Sequence, residues 1–407
     1  MNNWKAWKSE KDYRKLFWSG MINGIGNRFT QVALLTLLYQ VTGSSIAIGY
    51  LFVIRMVPFI LLAPLSGVIS NKLSNKKLLM YIDMVRVPFA LIPLFVQGTE
   101  QLWLIYVSAG CISLGEAIYA PTRMAFIPSL VKQDRLIYVN AIEQIMLGVV
   151  LIIGSSTGGI ISFVFGLSTA FVFDAISFIL SAMILNQISF SNQLLSKVKT
   201  VKQMNISIYK VILSSSALLV LVFIEFTMPL ANGIDNVLMS IYALDVFKMG
   251  DIGVGLIYGC LGLGFMLSSF FPKLLKKRIV LVMVICIGLE GLGHIVLGHA
   301  PTFLIALATV VWITFVGGIS TIFMNTITMK TVPTSRQGAF FGVITMVSNT
   351  SMALSMGVAG WLVELFAPRP LSIYVGWTYI CFTILYAILF TRVKLGREKR
   401  YLNKNYG

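Results

Sequence analysis

The chain alternates long apolar runs with short polar connections, most of them basic. Many of the runs are near 20 residues long, and about 20 apolar residues in a helix cross the roughly 30 Å hydrocarbon core of a bilayer. The pattern predicts twelve spans, near residues 15–40, 46–70, 78–96, 102–119, 138–161, 167–188, 212–238, 253–271, 279–298, 303–325, 338–362 and 370–391. The longest polar stretch, "SFSNQLLSKVKTVKQMNISIYK", begins at residue 189 and splits the spans six and six. The expected organisation is a six-helix bundle over 1–188, a linker over 189–211, a second bundle over 212–391 and a basic tail over 392–407. The first run, "LFWSGMINGIGNRFTQVALLTLLYQV", is too long and too polar for a signal-peptide core and no small-residue cleavage site follows, so it reads as span one.

Composition agrees with this class. Hydrophobic residues make up 57% of the chain and charged ones 12%, about half the charge of a soluble domain, and the mean hydropathy is +0.85. The fold class is therefore all-α and polytopic. A net charge of +17 would suggest nucleic-acid binding in a soluble chain, but the basic residues are placed by side. Of 32 Lys and Arg, 27 fall in the N-terminal segment, the even-numbered connections and the tail, whereas the other side holds Lys248 and Arg369. Arg28, Arg55 and Arg86 remain inside spans. The positive-inside bias puts both termini in the cytoplasm and removes nucleic acid as a partner. Cys111, Cys260, Cys286 and Cys381 are scattered through spans, with neither a disulfide framework nor a metal-ligand spacing. Asn205 opens an Asn-Ile-Ser sequon on the cytoplasmic side, where glycosylation is not expected.

The two halves repeat. "NKLSNKK" at 71–77 matches "PKLLKKR" at 272–278, 201 residues later, and "MAFIPSL" matches "MKTVPTS" through Met124 with Met329 and Pro128 with Pro333, an offset of 205. Parallel six-helix repeats indicate a transporter built from two halves around a central cavity.

These stretches resemble the major facilitator superfamily, and within it the drug/proton antiporter branch that includes the macrolide-efflux proteins. "GVISNKLSNKK" resembles the family's loop between helices two and three through Gly67, Lys72 and Lys76, while Asn71 stands where Asp is usual and Asn75 replaces one of a basic pair. The most branch-specific stretch joins "APTRMAFIPSLVKQDRLIYVNAIEQ" to "IIGSSTGGIISFVFGLSTAFVFDAISF", carrying Pro121, Arg123, Pro128, Asn140, Gly154, Gly158, Gly159 and Asp174. The helix-five glycines resemble the family's antiporter motif, although Ser155 replaces a usual Pro. Helix four lacks the intramembrane Arg of many proton antiporters and offers Glu116 instead. The resemblance implies a multi-pass protein of a bacterial plasma membrane, monomeric, without cofactor or metal. It would export amphipathic small molecules by alternating access against inward proton flow.

Two readings of the helix-two loop stand side by side. Its lysines hold the loop on the inner side, or they gate, reaching an acidic partner or helix C-terminal carbonyls of the other half when the inner side closes. Asp83 and Arg86, three apart, can pair on one helix face. Glu116 and Arg123 bracket the expected inner end of helix four, where charged ends can snorkel to the interface. Gly154, Gly158 and Gly159 suit close helix packing.

Charge at mid-bilayer costs at least about 2.5 kcal/mol and is retained mainly for pathways. Glu225, Glu143, Glu290 and Asp174 are the proton candidates; Arg28, Asn27, Asn23 and Arg55 are the cavity and substrate candidates. Arg28 and Glu225 lie midway along equivalent helices and are placed to meet across the cavity. Asp235 and Arg55 fall toward the outer face, where water can reach them, as do His294 and His299, which read as interfacial. The 19 Met and 27 Phe suit an adaptable apolar cavity. A membrane enzyme or sensor is the competing class, and the sequence supplies neither a catalytic cluster nor an output domain for it. Export of an endogenous metabolite or lipid-like molecule without protons is the runner-up within transport.

Overall fold

The computed structural model describes residue 7 and residues 10–42, 45–62, 74–154, 165–189, 208–271, 278–393 and 395–406. Twelve long helices run through them, and no strand appears among the described residues. The first half holds α1 (Lys11–Thr42), α2 (Ser45–Leu62), α3 (Asn75–Leu91), α4 (Leu102–Leu130), α5 (Leu136–Val149, continued by a π turn to Gly154) and α6 (Leu167–Asn186). The second holds α7 (Ser216–Ile241), α8 (Gly250–Ser268), α9 (Ile279–Gly298), α10 (Phe303–Thr331), α11 (Gln337–Phe366) and α12 (Pro368–Arg392). Nine of the described helices are long and apolar enough to cross a membrane on composition alone. α1 falls short because Asn23, Asn27 and Arg28 interrupt its apolar run, which suits a helix that faces a cavity.

Helix starts follow ordinary chemistry. Ser74, Ser215 and Thr302 cap α3, α7 and α10, their hydroxyls accepting from Lys77 N, Leu218 N and Ile305 N. The largest boundary correction concerns α4, which continues to Leu130 through Pro121 and Pro128 instead of ending near 119. Pro121 is buried in the bundle, where neighbouring helices support a backbone that water would otherwise have to satisfy, and Pro128 is half-buried two residues before the helix end.

The same packing recurs in each half: α3 lies against α4 and α6, and α9 against α10 and α12. The halves touch through α5 with α8 and α10, and through α11 with α2 and α4. Near the ends that carry the termini, they share apolar cores. Met329 and Phe341 join Tyr13, Leu16 and Phe126, while Ile137, Tyr138 and Ala141 join the core of the second half. Asn140 Nδ2 donates across to Thr326 Oγ1 at 3.0 Å. Midway along α5, Gly148 and Gly262 of α8 bring backbones so close that a β-carbon on Gly148 would lie 3.3 Å from Met266 N and collide with Gly262 O.

The tail is not a loose basic segment. It forms α13 (Leu395–Tyr406), with Leu402 fully buried and Glu398 accepting from the Ser215 and Ser216 hydroxyls at 2.7 and 3.1 Å.

Candidate functional site

A cavity of about 240 Å³ opens between α1, α2, α4 and α5. From α1 come Gly24, Asn27, Arg28 and Gln31, from α2 Arg55 and Phe59, from α4 Ile112, Ser113 and Glu116, and from α5 Val150. Asn27 and Asn23, four apart on α1, are bonded to each other, Asn27 Nδ2 donating to Asn23 Oδ1 at 3.1 Å. Arg28 donates to Gln31 Oε1 at 3.0 Å.

One polar chain leads from the cavity wall into the first bundle. Glu116 Oε2 accepts from Asn27 at 3.4 Å and from Arg86 Nη2 at 2.8 Å. Arg86 Nη1 stands 3.8 Å from Asp83 Oδ1, and Asp83 accepts from Asn23 at 2.8 Å and from the Ser181 hydroxyl at 2.6 Å. Asp83 and Arg86 are buried and Glu116 is 32% exposed at its side chain, so the chain runs from solvent into the core. Gly115 makes room for it, since a β-carbon there would collide with Arg86 Nε. Tyr119 and Phe178 present their faces to the guanidinium at 5.2 and 5.4 Å.

Glu116 and Arg123 are thus not snorkelling ends: α4 continues past both, and Arg123 is 7% exposed. Arg123 binds Glu143 through two nitrogens at 2.6 and 3.1 Å, and the Tyr13 hydroxyl donates to the same carboxylate at 2.7 Å. A bidentate pair of this kind ties α4, α5 and α1 together. Lys76 donates to Asn186 O and Ile188 O at 2.6 and 2.9 Å. It reaches helix C-terminal carbonyls, as one expectation had it, but those of α6 in its own half. Gly67, Asn71, Lys72, Gly158 and Gly159 lie outside the described residues. Gly154 is described and faces α1, where a β-carbon would sit 2.8 Å from Arg28 Cβ.

Arg28 and Glu225 do not form an ion pair: Arg28 bonds Gln31, and Glu225 of α7 faces the Ser348 hydroxyl of α11. Asp174 is fully buried and accepts from Ser177 Oγ at 3.3 Å. Glu290 is 8% exposed and lies against Gly317 of α10. His294 is no interfacial residue. It is fully buried, stacks on Tyr379 at 5.2 Å and places Nδ1 3.4 Å from Asp235 Oδ1. His299 is exposed at the helix end, as expected. Of the Asn23–Asp83–Arg86–Glu116 chain the sequence supplied the Asp83–Arg86 link, three residues apart on α3, and left its ties to Asn23 and Glu116, and the His294–Asp235 contact, unassembled. A further signal for Glu116 was its place in a helix stretch with glycines at 110 and 115, the kind of small residues that let a neighbour's long side chain in.

Residues 16–356 match the family model described as Major Facilitator Superfamily. Over 179 residues, 44% of the chain, it is 24% identical to an uncharacterized MFS-type transporter, YfiS, of Bacillus subtilis. Over 185 residues, 45% of the chain, it is 21% identical to macrolide efflux protein A of Streptococcus pyogenes. The matches span 42% and 44% of those relatives' own lengths. A bacterial homologue of the iron transporter ferroportin, crystallised facing outward, superposes over 94% of this chain and 98% of its own with a TM-score of 0.72 at 13% identity, a likeness of fold.

Proposed function

Because the chain belongs to the Major Facilitator Superfamily, a family of membrane transporters, we propose that it exports amphipathic small molecules across a bacterial plasma membrane by alternating access, in exchange for protons. The observation that carries this reading is the cavity whose wall carboxylate, Glu116, continues into a buried ion chain. A substrate or a proton that engages Glu116 changes what holds Arg86, and through Asp83 and Ser181 the change reaches α1, α3 and α6. Both termini face the cytoplasm in this reading. The halves, which meet near the termini, then seal the inner side.

Glu225 suits proton carriage best among the four acidic candidates. It is half-buried on α7 and has a hydroxyl as neighbour, so neutralising it strands no arginine. Glu143 is held by Arg123 and Tyr13 as a strut. Asp174 and Glu290 are buried within their own bundles.

The deciding experiment is uptake by purified protein in liposomes under an imposed pH gradient, with a macrolide and other amphipathic drugs outside or inside. Drug movement that follows the proton gradient in the opposite sense supports antiport. Drug movement indifferent to the gradient favours the uncoupled exporter, and no movement of any drug removes the reading.

A further inference from the structure

The cavity holds two arginines with no direct ion pair to an acid, although Glu116 lies within electrostatic range of both and Asp174 of Arg55. The ion pairs among the described residues join Arg86, Arg123 and Arg135 to carboxylates and leave out Arg28 and Arg55. Glu116, the carboxylate on the cavity wall, is taken up by Arg86 at 2.8 Å. Arg28 and Arg55 come from neighbouring helices, are both half-buried, and lie within electrostatic range of each other. Guanidinium groups cannot shed their charge, and two like charges on one partly dry wall repel more strongly than they would in water. A snorkelling arginine would end in open solvent; these two end in a cavity whose other surfaces include Phe59, Ile112 and Val150.

We infer that the cavity takes an amphipathic anion, with a carboxylate, sulfonate or phosphate head on Arg28 and Arg55 and an apolar body against Phe59, Ile112 and Val150. The planar, five-donor fork of each arginine fits such a head, and one anion held directly by both forks offsets a mutual repulsion that Glu116 and Asp174 oppose only from a distance. Asn27, Gln31 and Ser113 supply further polar contacts on the same wall. Apolar walls with a few convergent polar groups are the usual build of a small-molecule site. The inference deepens the transport reading and rests on it for the direction of movement, while the site itself can be tested without transport.

The test uses the full chain in lipid nanodiscs and two dyes that share a xanthene body, anionic carboxyfluorescein and cationic rhodamine 123, with binding followed by fluorescence anisotropy. Carboxyfluorescein is expected to bind saturably and to weaken as ionic strength rises. Arg28→Gln and Arg55→Gln should each weaken it about tenfold, the scale of one hydrogen bond to a charged group. Arg28→Lys and Arg55→Lys, which keep the charge and lose the fork, should weaken it less, and all four should bind rhodamine 123 no worse than the parent chain does. Melting curves exclude misfolding, and should a Gln variant not fold, the Lys variants and the salt dependence of the parent chain still decide. Absence of saturable carboxyfluorescein binding overturns the inference, as does binding indifferent to salt and to both arginines. Liposome flux separates the two levels. Anion binding without movement of any compound sinks the transport reading alone, whereas movement of rhodamine 123 without anion binding sinks the anion site alone.

Discussion

Arg86 on α3 and Glu290 on α9 hold the same place in the two halves, each the twelfth residue of its helix and each lying against a glycine of the next helix, Gly115 or Gly317. The pairs are offset by 204 and 202 residues, within the spacing of the internal repeat. The place is kept and the charge is inverted. In the first half the cation is held by Asp83 and Glu116; among the described residues the second half puts no arginine or lysine opposite Glu290.

The two glycines should therefore differ in tolerance. Gly115→Ala drives a methyl into an arginine fixed by two acids and two aromatic faces, and is expected to destabilise by about 1–3 kcal/mol. Gly317→Ala meets Glu290 Oε1 at 3.0 Å, a carboxylate that can turn, and should shift the melting temperature much less. Arg86→Met goes further than either, because it leaves Asp83 buried without its cation, a loss of about 3–5 kcal/mol. Thermal unfolding of the purified variants ranks them, and a Gly317→Ala protein that melts below Gly115→Ala would contradict the asymmetry.

The helices were legible in the sequence because a hydropathy window sums twenty residues, and one polar side chain hardly moves the sum. The same averaging hid what each helix faces. The apolar run ends span four near 119, whereas the helix continues through Pro121, buried where neighbouring helices support it. The shorter span makes Glu116 a charge near a helix end, and only its partner on α3, thirty residues away in the chain, reveals it as a cavity wall. His294 was placed correctly along α9, but its burial depends on Tyr379 and Asp235 from two other helices. Depth is written in the chain; partnership across helices is not.

Lys76→Ala now carries a different expectation from that of a gate. Its ammonium caps carbonyls at the end of α6 within one half, so its removal should lower stability by about 0.3–1 kcal/mol and leave the transport rate per folded molecule unchanged. Flux normalised to folded protein checks this, and a slowed rate at normal stability would restore the gate.

Glu225→Gln should fold, insert and bind substrate, yet lose transport driven by a proton gradient. The structure separates this outcome from a structural one, because Glu225 pairs with no arginine and the amide leaves no cation stranded. Expression, melting temperature, binding and pH-driven uptake measured on one variant decide it. Normal pH-driven uptake would remove Glu225 from the proton path.

Topology has its own check. Tags at residue 1, within 190–205 and at residue 407 should all report the cytoplasmic side, since 27 of 32 basic residues fall on one side of the predicted spans. One tag read from outside would break the twelve-span arrangement.

Gly148 and Gly262 face each other at the boundary between the halves as two shallow sockets: the Met266 side chain seats over Gly148 and the Ile152 side chain over Gly262, each beside the other glycine's carbonyl oxygen. A socket keeps its plug only while nothing else fills it. A larger residue at either glycine would strike both the plug and the facing backbone, and so act as a wedge that drives α5 and α8 apart rather than merely loosening one of them.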